Sequence, residues 1–589
     1  MPWAGRHIRF VRWFVARRGP IVTHRRFLAA LAVFVTLGTQ GAAQAPSGAY
    51  LAAQHARAQG DFAAAAQYYA QVLTRDPGNI EVLESAAFAY MALGQVDRAA
   101  AVARKMEAED ARSQIAQIPL IVEAALDEDW AGLLTRIEAG RGAGELADGM
   151  IAAWAELGRG DMSAALTRID ALAEEQGLRN FALYHKALAL AVVGDFEAAD
   201  RVFSGESDGQ VQRTRSGVVA WAQVLSQLGE TDRALSVLED TFGSTPEPGI
   251  ANLRARLEAG ETVPFTMVEG PRDGVAEVFF SLARALMQEA NDEFVLIYAR
   301  AAEAIDPDHV YATITAAETL QSMEQYKLAI DAFASVPRDH PAFHTAELGR
   351  AEALRATGKP DAAAEVLAQL AAHLPEIVDI HVAAGDLHRE QEEYEEAIAA
   401  YNRAVTLLEE RDNPQWFVYY VRAIAHERLD NWPEAEADFR RALDLNPDHP
   451  QVLNYLGYTM VEKGVNLDEA LGMIERAVAE RPDSGYIVDS LGWVLYRLGR
   501  YDEAIGHMER AAELMPTDPV VNDHLGDVLW AVGRKTEARF QWRRALSLHE
   551  TTTSPDLDPE RVRRKLEVGL DEVLLEEGAE PLRMVDDGG

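Results

Sequence analysis

A chain of 589 residues with 94 Asp and Glu against 56 Lys and Arg carries a formal charge of −38. A field of that sign repels nucleic acid and anionic lipid, so neither is an expected partner. Cysteine is absent, which excludes a disulfide framework, a thiolate metal site and a lipidated cysteine.

Residues before Thr23 are basic and irregular. His24, Arg25 and Arg26 then meet the apolar run FLAALAVFVTL at 27–37, followed by GTQGAAQA. A positive region, a short apolar core and a zone of small residues read as an export signal. Residues 1–43 are assigned to it, with cleavage expected after Ala43, because a cut after Ala45 would leave Pro46 immediately downstream. The run is too short for an ordinary membrane span. The expected location is the periplasm, with anchoring in the inner membrane by an uncleaved signal as the alternative.

From residue 46 a period of 34 residues takes over. Copies are read at 46–79 (Gly60, Ala65, Tyr69, Pro77) and 80–113 (Tyr90, Gly94, Ala99), with a degenerate pair over 114–145. Further copies lie at 146–179, 180–213 and 215–248. After a break they resume at 276–309, 310–343, 344–377, 378–411, 416–449, 450–484, 485–518 and 519–552. The organisation expected is therefore a degenerate amino-terminal block (46–248), an interruption (249–275) and a carboxyl-terminal block (276–552). The interruption holds Pro264, Pro271 and the apolar run VPFTMV, and reads as a linker or as an extended segment lying against the stack. A terminal unit needs a cap. Residues 558–578 fit one, with Asp558 as N-cap, Pro559 at the first helical position, and Val562, Leu566, Leu570 and Leu574 on one stripe.

The copy at 485–518 shows what the period means. Val488, Leu491, Gly492 and Leu495 form one stripe on a first helix, and Ala504, Met508 and Ala511 one stripe on a second. Gly492 and Ala504 are small where the helices cross, Gly499 ends the first helix and Pro516 ends the second. DSLGWVLYRLGRYDEA at 489–504 and NDHLGDVLWAVGRKTEA at 522–538 resemble the tetratricopeptide repeat. The resemblance implies an all-α fold, a right-handed superhelical α-solenoid of helix-turn-helix repeats, here in two blocks. The carboxyl-terminal half also resembles a group of exported proteobacterial repeat proteins, which implies a place in the cell envelope.

No catalytic constellation stands out. HERLD at 426–430 departs from the zinc-binding HExxH, because Asp430 stands where the second His is needed. There is no phosphate loop, and GRGAGE at 140–145 lacks dinucleotide-binding spacing. No enzyme activity, cofactor or metal is expected.

By resemblance, positions 2, 5, 9, 12 and 13 of each copy line the concave groove. From 416 onward these supply Phe417, Tyr420, Arg428, Asn454, Tyr458, Tyr486, Asp489, Trp493, Tyr496, Arg497, Asp523, Asp527 and Trp530. Tyr, Trp and Arg dominate interface hot spots, so this set is the candidate surface for a protein or peptide partner. No copy has Asn at position 9, where Tyr458 and Trp493 stand instead, so a clamp for a peptide C-terminus is not supported. The function expected is a non-catalytic exported scaffold in envelope or outer-membrane assembly or maintenance, with peripheral association with envelope complexes. The alternatives are a periplasmic accessory of polysaccharide export and a hydrolase without a sequence motif.

Overall fold

A computed structural model describes residues 46–579 and 582, apart from 176, 208, 210, 212, 244–246, 288–290, 552, 553 and 555. The export segment expected at 1–43 lies outside the described residues. Within them the chain forms 31 helices and no strand, and none of these helices is long and apolar enough to cross a membrane. Contacts divide the chain into two compact units, one ending at Leu387 and the other starting at His388.

The amino-terminal unit begins with the pairs α1 (Pro46–Ala58) and α2 (Phe62–Leu73), α3 (Ile80–Ala92) and α4 (Val96–Ala108), and α5 (Gln114–Leu126) and α6 (Trp130–Glu138). It continues with α7 (Glu145–Gly158) and α8 (Met162–Ala173), α9 (Arg179–Val192) and α10 (Phe196–Ser204), and α11 (Arg215–Gln227) and α12 (Thr231–Phe242). Short polar side chains start many of these helices. Asp61, Asn79, Ser113, Asp129, Asp161, Asp195 and Thr214 each accept a hydrogen bond from a free amide of the first turn. Most first helices end on a left-handed residue, Gly60, Gly94, Gly160, Gly194 and Gly229 among them, which is why the period carries glycine there.

The interruption proves to be part of the packing. Residues 248–258 form α13 (Pro248–Glu258), and the chain then runs extended along α11. The Val263 amide donates to Ser226 Oγ at 2.8 Å, Gln227 Nε2 donates to the Val263 carbonyl at 2.7 Å, and the Thr266 amide donates to Gln223 Oε1 at 3.0 Å. Val263 and Val268 are buried. This strap delivers α14 (Pro271–Leu286) and α15 (Asp292–Ile305) back onto the preceding repeats: α14 packs on α5, α7 and α9, and α15 on α3 and α5. Tyr184 Oη donates to Glu277 at 2.8 Å, Tyr298 Oη to the Ala143 carbonyl at 3.1 Å, and Arg57 pairs with Glu293 at 3.1 Å. The pairs α16 (Val310–Ser322) with α17 (Tyr326–Ala334) and α18 (Phe343–Ala356) with α19 (Pro360–His373) extend the same unit, and α20 (Val378–Glu390) spans the boundary.

The compact units differ from the blocks read in the sequence. The break at 249–275 does not divide the chain into compact blocks. Residues 276–353 share one continuous apolar core with the earlier repeats, from Ala53 to Ala353, and Leu354, Leu367 and Leu387 belong to a smaller cluster beyond it within the same unit. The cause is the return of α14, whose apolar faces are too extensive to be covered by its own pair alone. The 46–248 and 276–552 division gives way to a boundary between Leu387 and His388.

The carboxyl-terminal unit holds α21 (Tyr394–Glu410), then α22 (Trp416–Arg428) with α23 (Trp432–Leu445), α24 (Pro450–Lys463) with α25 (Leu467–Glu480), and α26 (Gly485–Arg497) with α27 (Tyr501–Leu514). It ends with α28 (Pro519–Ala531) and α29 (Lys535–His549), followed by α30 (Pro559–Val568) and α31 (Leu570–Glu576). Within the pairs the close crossing is literal: a Cβ on Gly492 would collide with Met508, and one on Gly526 with Trp542. The expected cap at 558–578 starts as read, with Asp558 as N-cap and Pro559 opening the helix, but it is two helices and not one. Gly569, at φ +92°, breaks it into two helices, so Val562, Lys565, Leu570 and Val573 are buried while Leu566 and Leu574 are only half-buried.

Gly274 on α14 faces the fully buried Trp154, and a methyl there would run into the indole. Gly274→Ala is expected to cost about 1–3 kcal/mol, read by urea unfolding, and to speed amide exchange in α14 and α15. Gly533 has φ +81° and open space around it, so Gly533→Ala isolates the conformational cost alone. That loss is expected at about 1 kcal/mol in the same measurement.

Candidate interaction groove

First helices of successive pairs touch each other in the carboxyl-terminal unit, α24 with α26 and α26 with α28. Among the described residues successive second helices make no comparable contact. The first helices are thus the inner row of a curved stack, and their free faces line its concavity.

At the start of the row, Tyr420 sits among Trp416, Phe439 and Tyr455, with ring centroids 6.1–6.2 Å away. Burial pushes its phenol far above the ordinary value. Phe417 is half-buried beside Trp416 at 6.4 Å. Arg428 is exposed next to Glu427 at 3.8 Å. On α24, Asn454 is buried and its Oδ1 has no hydrogen-bond partner among the described residues. Tyr458 is half-buried, and burial raises its phenol strongly, with Glu462 and Asp489 adding to the effect.

On α26 the side chains lock into one another. The Trp493 ring stacks on Tyr496 at 4.9 Å and on His524 of α28 at 4.0 Å, the latter pair 15° from parallel. Trp493 Nε1 donates to Glu462 at 2.7 Å, and Arg497 lies 3.8 Å from the same carboxylate. His524 Nδ1 meets Asp489 Oδ2 at 2.9 Å. Tyr496 is buried, whereas Tyr486 remains 39% exposed.

The end of the row departs from the sequence reading. Asp523, Asp527 and Trp530 face the inner side, yet they are buried. The α30–α31 hairpin covers them. Lys565, with no exposed surface, places its ammonium 2.9 Å from Asp523 and 2.7 Å from Asp527. Arg561 lies 3.5 Å from Asp527, Trp542 Nε1 donates to Asp527 at 2.8 Å, and Trp530 Nε1 donates to Asp571 at 2.9 Å. Burial pushes the Asp523 carboxyl above the ordinary aspartate value, and Lys565 offsets only part of that. The open groove is therefore shorter than the sequence implies, reaching from Phe417 to Arg497. Lys565, Arg561, His524 and Glu462 contact the candidate groove residues although the sequence reading did not name them. The signal was present in the matched spacing of Asp523 with Asp527 and of Arg561 with Lys565, each four residues apart on one helix face.

Models of the tetratricopeptide repeat match residues 56–118, 314–372, 348–413, 416–449 and 488–518. The chain carries tetratricopeptide repeats over these residues. Over 173 residues, 29% of its length, this repeat protein is 27% identical to the TPR repeat-containing protein PA4667 of Pseudomonas aeruginosa, and the match spans 28% of that relative. Among solved structures it is similar to the APC/C hetero-tetramer Cut9–Hcn1, with a TM-score of 0.37 and 16% identity over 90% of this chain and 96% of that one. It is also similar to a tetratricopeptide repeat protein from Parabacteroides merdae, with a TM-score of 0.33 and 17% identity over 50% of this chain and 97% of the other. The repeats make the protein an interaction scaffold.

Burial alone would lower the His524 pKa, but Asp489, with Asp523 and Asp527 behind it, outweighs burial and raises it. A raised folded pKa stabilises fully below the unfolded imidazole value of about 6.5 and is lost as pH rises through the folded value. Wild type is therefore expected to exceed His524→Gln in urea resistance by more at pH 6 than at pH 9. An equal difference at both pH values would contradict the ion pair.

Proposed function

We propose that this scaffold binds a protein or peptide partner along the open groove of its carboxyl-terminal unit and serves assembly or maintenance of the cell envelope from the periplasm. The observation that carries the groove assignment is the run of accessible aromatic and arginine side chains on the inner row. Arg428, Tyr458, Tyr486, Trp493 and Arg497 stand there on packed helices, held by Glu427 and Glu462. Side chains pre-ordered in this way lose little freedom on binding, which is what makes a hot spot. The amino-terminal repeats offer no such surface at α5, α7 and α9, where α14 and α15 already lie.

The envelope location is supported by the basic-then-apolar pattern of 1–43 and by the absence of cysteine. A protein ligand is favoured over a polysaccharide because sugars stack on open ring faces. The Trp493 ring is already engaged by Tyr496 and His524, and the Tyr420 ring is enclosed by Trp416, Phe439 and Tyr455. What remains accessible is ring edges, a phenol and guanidinium groups, which suit peptide backbone and side chains.

The test is the triple variant Tyr486→Ala, Trp493→Ala, Arg497→Ala in the full chain. It should retain its helical circular dichroism and lose at least about 2 kcal/mol of partner affinity, the hot-spot scale. The readout is crosslinking pull-down from an envelope extract compared with wild type. An unchanged set of captured proteins would remove the groove assignment.

A further inference from the structure

The acidic end of the groove is already filled by the chain itself. Asp523 and Asp527 occupy the positions that Asn454 and Tyr458 hold in one preceding copy and Asp489 and Trp493 in the next. Lys565 Nζ lies within 2.7–2.9 Å of all four of their carboxylate oxygens. The Trp542 ring stands 5.8 Å from the same ammonium, and Trp530 closes the side toward Gly569. With Arg561 as second cation, two positive groups answer two carboxylates. Emptied, the pocket would present two buried negative charges between indole walls, a cavity shaped for an alkylammonium.

The segment that fills it is held by buried ion pairs beside a small apolar contact of Leu557, Val562, Leu570 and Val573. On α30 only Val562 and Lys565 are buried, and on α31 only Leu570 and Val573, while Leu575 is 72% exposed. A cap needed only to shield α28 and α29 would need that apolar contact alone and no buried lysine. The ion pairs fasten two short helices, of 10 and 7 residues, and short elements lie toward the low-stability end of a fold. A second observation points the same way. One step along the inner row, Asp489 Oδ1 and Asn454 Oδ1 have no hydrogen-bond partner among the described residues, although both side chains are more than nine-tenths buried. Both are acceptors, and they continue the line of Asp523 and Asp527 toward Tyr458. Asp556, just before the hairpin, acts electrostatically on Arg428 and Tyr458, so its departure would also alter the open groove.

We propose that the α30–α31 hairpin is an exchangeable occupant of this pocket and that a lysine-bearing segment of the partner protein takes the place of Lys565 between Asp523 and Asp527. This rests on reading the groove as the partner surface. The incoming segment supplies an ammonium to the two carboxylates and donors to Asp489 and Asn454, and the net charge of −38 draws such a cationic segment in. Self-occupancy sets a threshold: a ligand without a suitably placed lysine cannot displace the hairpin, and apparent affinity falls by the fraction of time the pocket is closed.

The probe is a fluorescein-labelled synthetic peptide of residues 558–579 of this chain, with a second peptide carrying Lys565→Met. Anisotropy is recorded with the full-length protein, with Lys565→Met/Arg561→Gln, whose own hairpin is loosened, and with that double variant plus Asp527→Asn. Circular dichroism verifies that each remains helical. The double variant should bind the lysine peptide at least about ten-fold more tightly than wild type, fail to bind the methionine peptide, and lose binding when Asp527→Asn is added. In wild type, excess peptide should speed tryptic cleavage at Arg561, Arg563 and Arg564. If a folded double variant binds no better than wild type, or both peptides bind alike, the hairpin is a fixed cap and the proposal fails. The groove reading then stands or falls separately, on whether partner capture still depends on Tyr486, Trp493 and Arg497.

Discussion

The seating of α14 and α15 against the inner row of the first repeats is the constraint on which the amino-terminal unit depends. A curved stack of helix pairs satisfies its apolar stripes between neighbours but leaves the concave side of its first helices open. Here that side is closed by the chain itself. Glu277 enters on α14 and meets Tyr184 and His309, Tyr298 reaches the Ala143 carbonyl, and Gly274 lets the backbone lie against Trp154. His185 has no exposed surface there, and burial pushes its pKa down to about 3. Contacts that are local in an ordinary solenoid become long-range here, and such contacts are expected to couple the opening of these helices.

The same economy recurs in the carboxyl-terminal unit with different chemistry. There the inner row is closed only at its last helix, and the closing element is charged where α14 is apolar. The difference matters because apolar burial is non-directional and hard to exchange, whereas a lysine between two aspartates can be replaced by another lysine at little net cost. The apolar closure makes a permanent core, and the ionic one marks the end of a groove that stays open from Phe417 to Arg497.

The period made nearly every helix legible. Turn glycines such as Gly60 and Gly499 take left-handed backbone, and small residues such as Gly492 sit at crossings, because those features act between residues close in sequence. The helix inside the interruption was hidden by Pro248 and Gly249, which open α13 instead of breaking structure. The return of α14 left no local trace: periodicity tells which face of a helix is apolar and says nothing of what covers it. The groove residues up to Arg497 were legible as a face. Asp523, Asp527 and Trp530 share the register of the groove positions yet are buried, and nothing local shows it, since the lysine that meets the two aspartates lies about forty residues later.

Amide hydrogen exchange of the intact protein tests most directly that the chain fills its own concavities. Helices α14 and α15 should exchange as slowly as α5, α7 and α9, by one shared opening, and α30 and α31 should open earlier than α28 and α29. Exchange of α14 and α15 at the rate of exposed loops, with α5, α7 and α9 still protected, would contradict it.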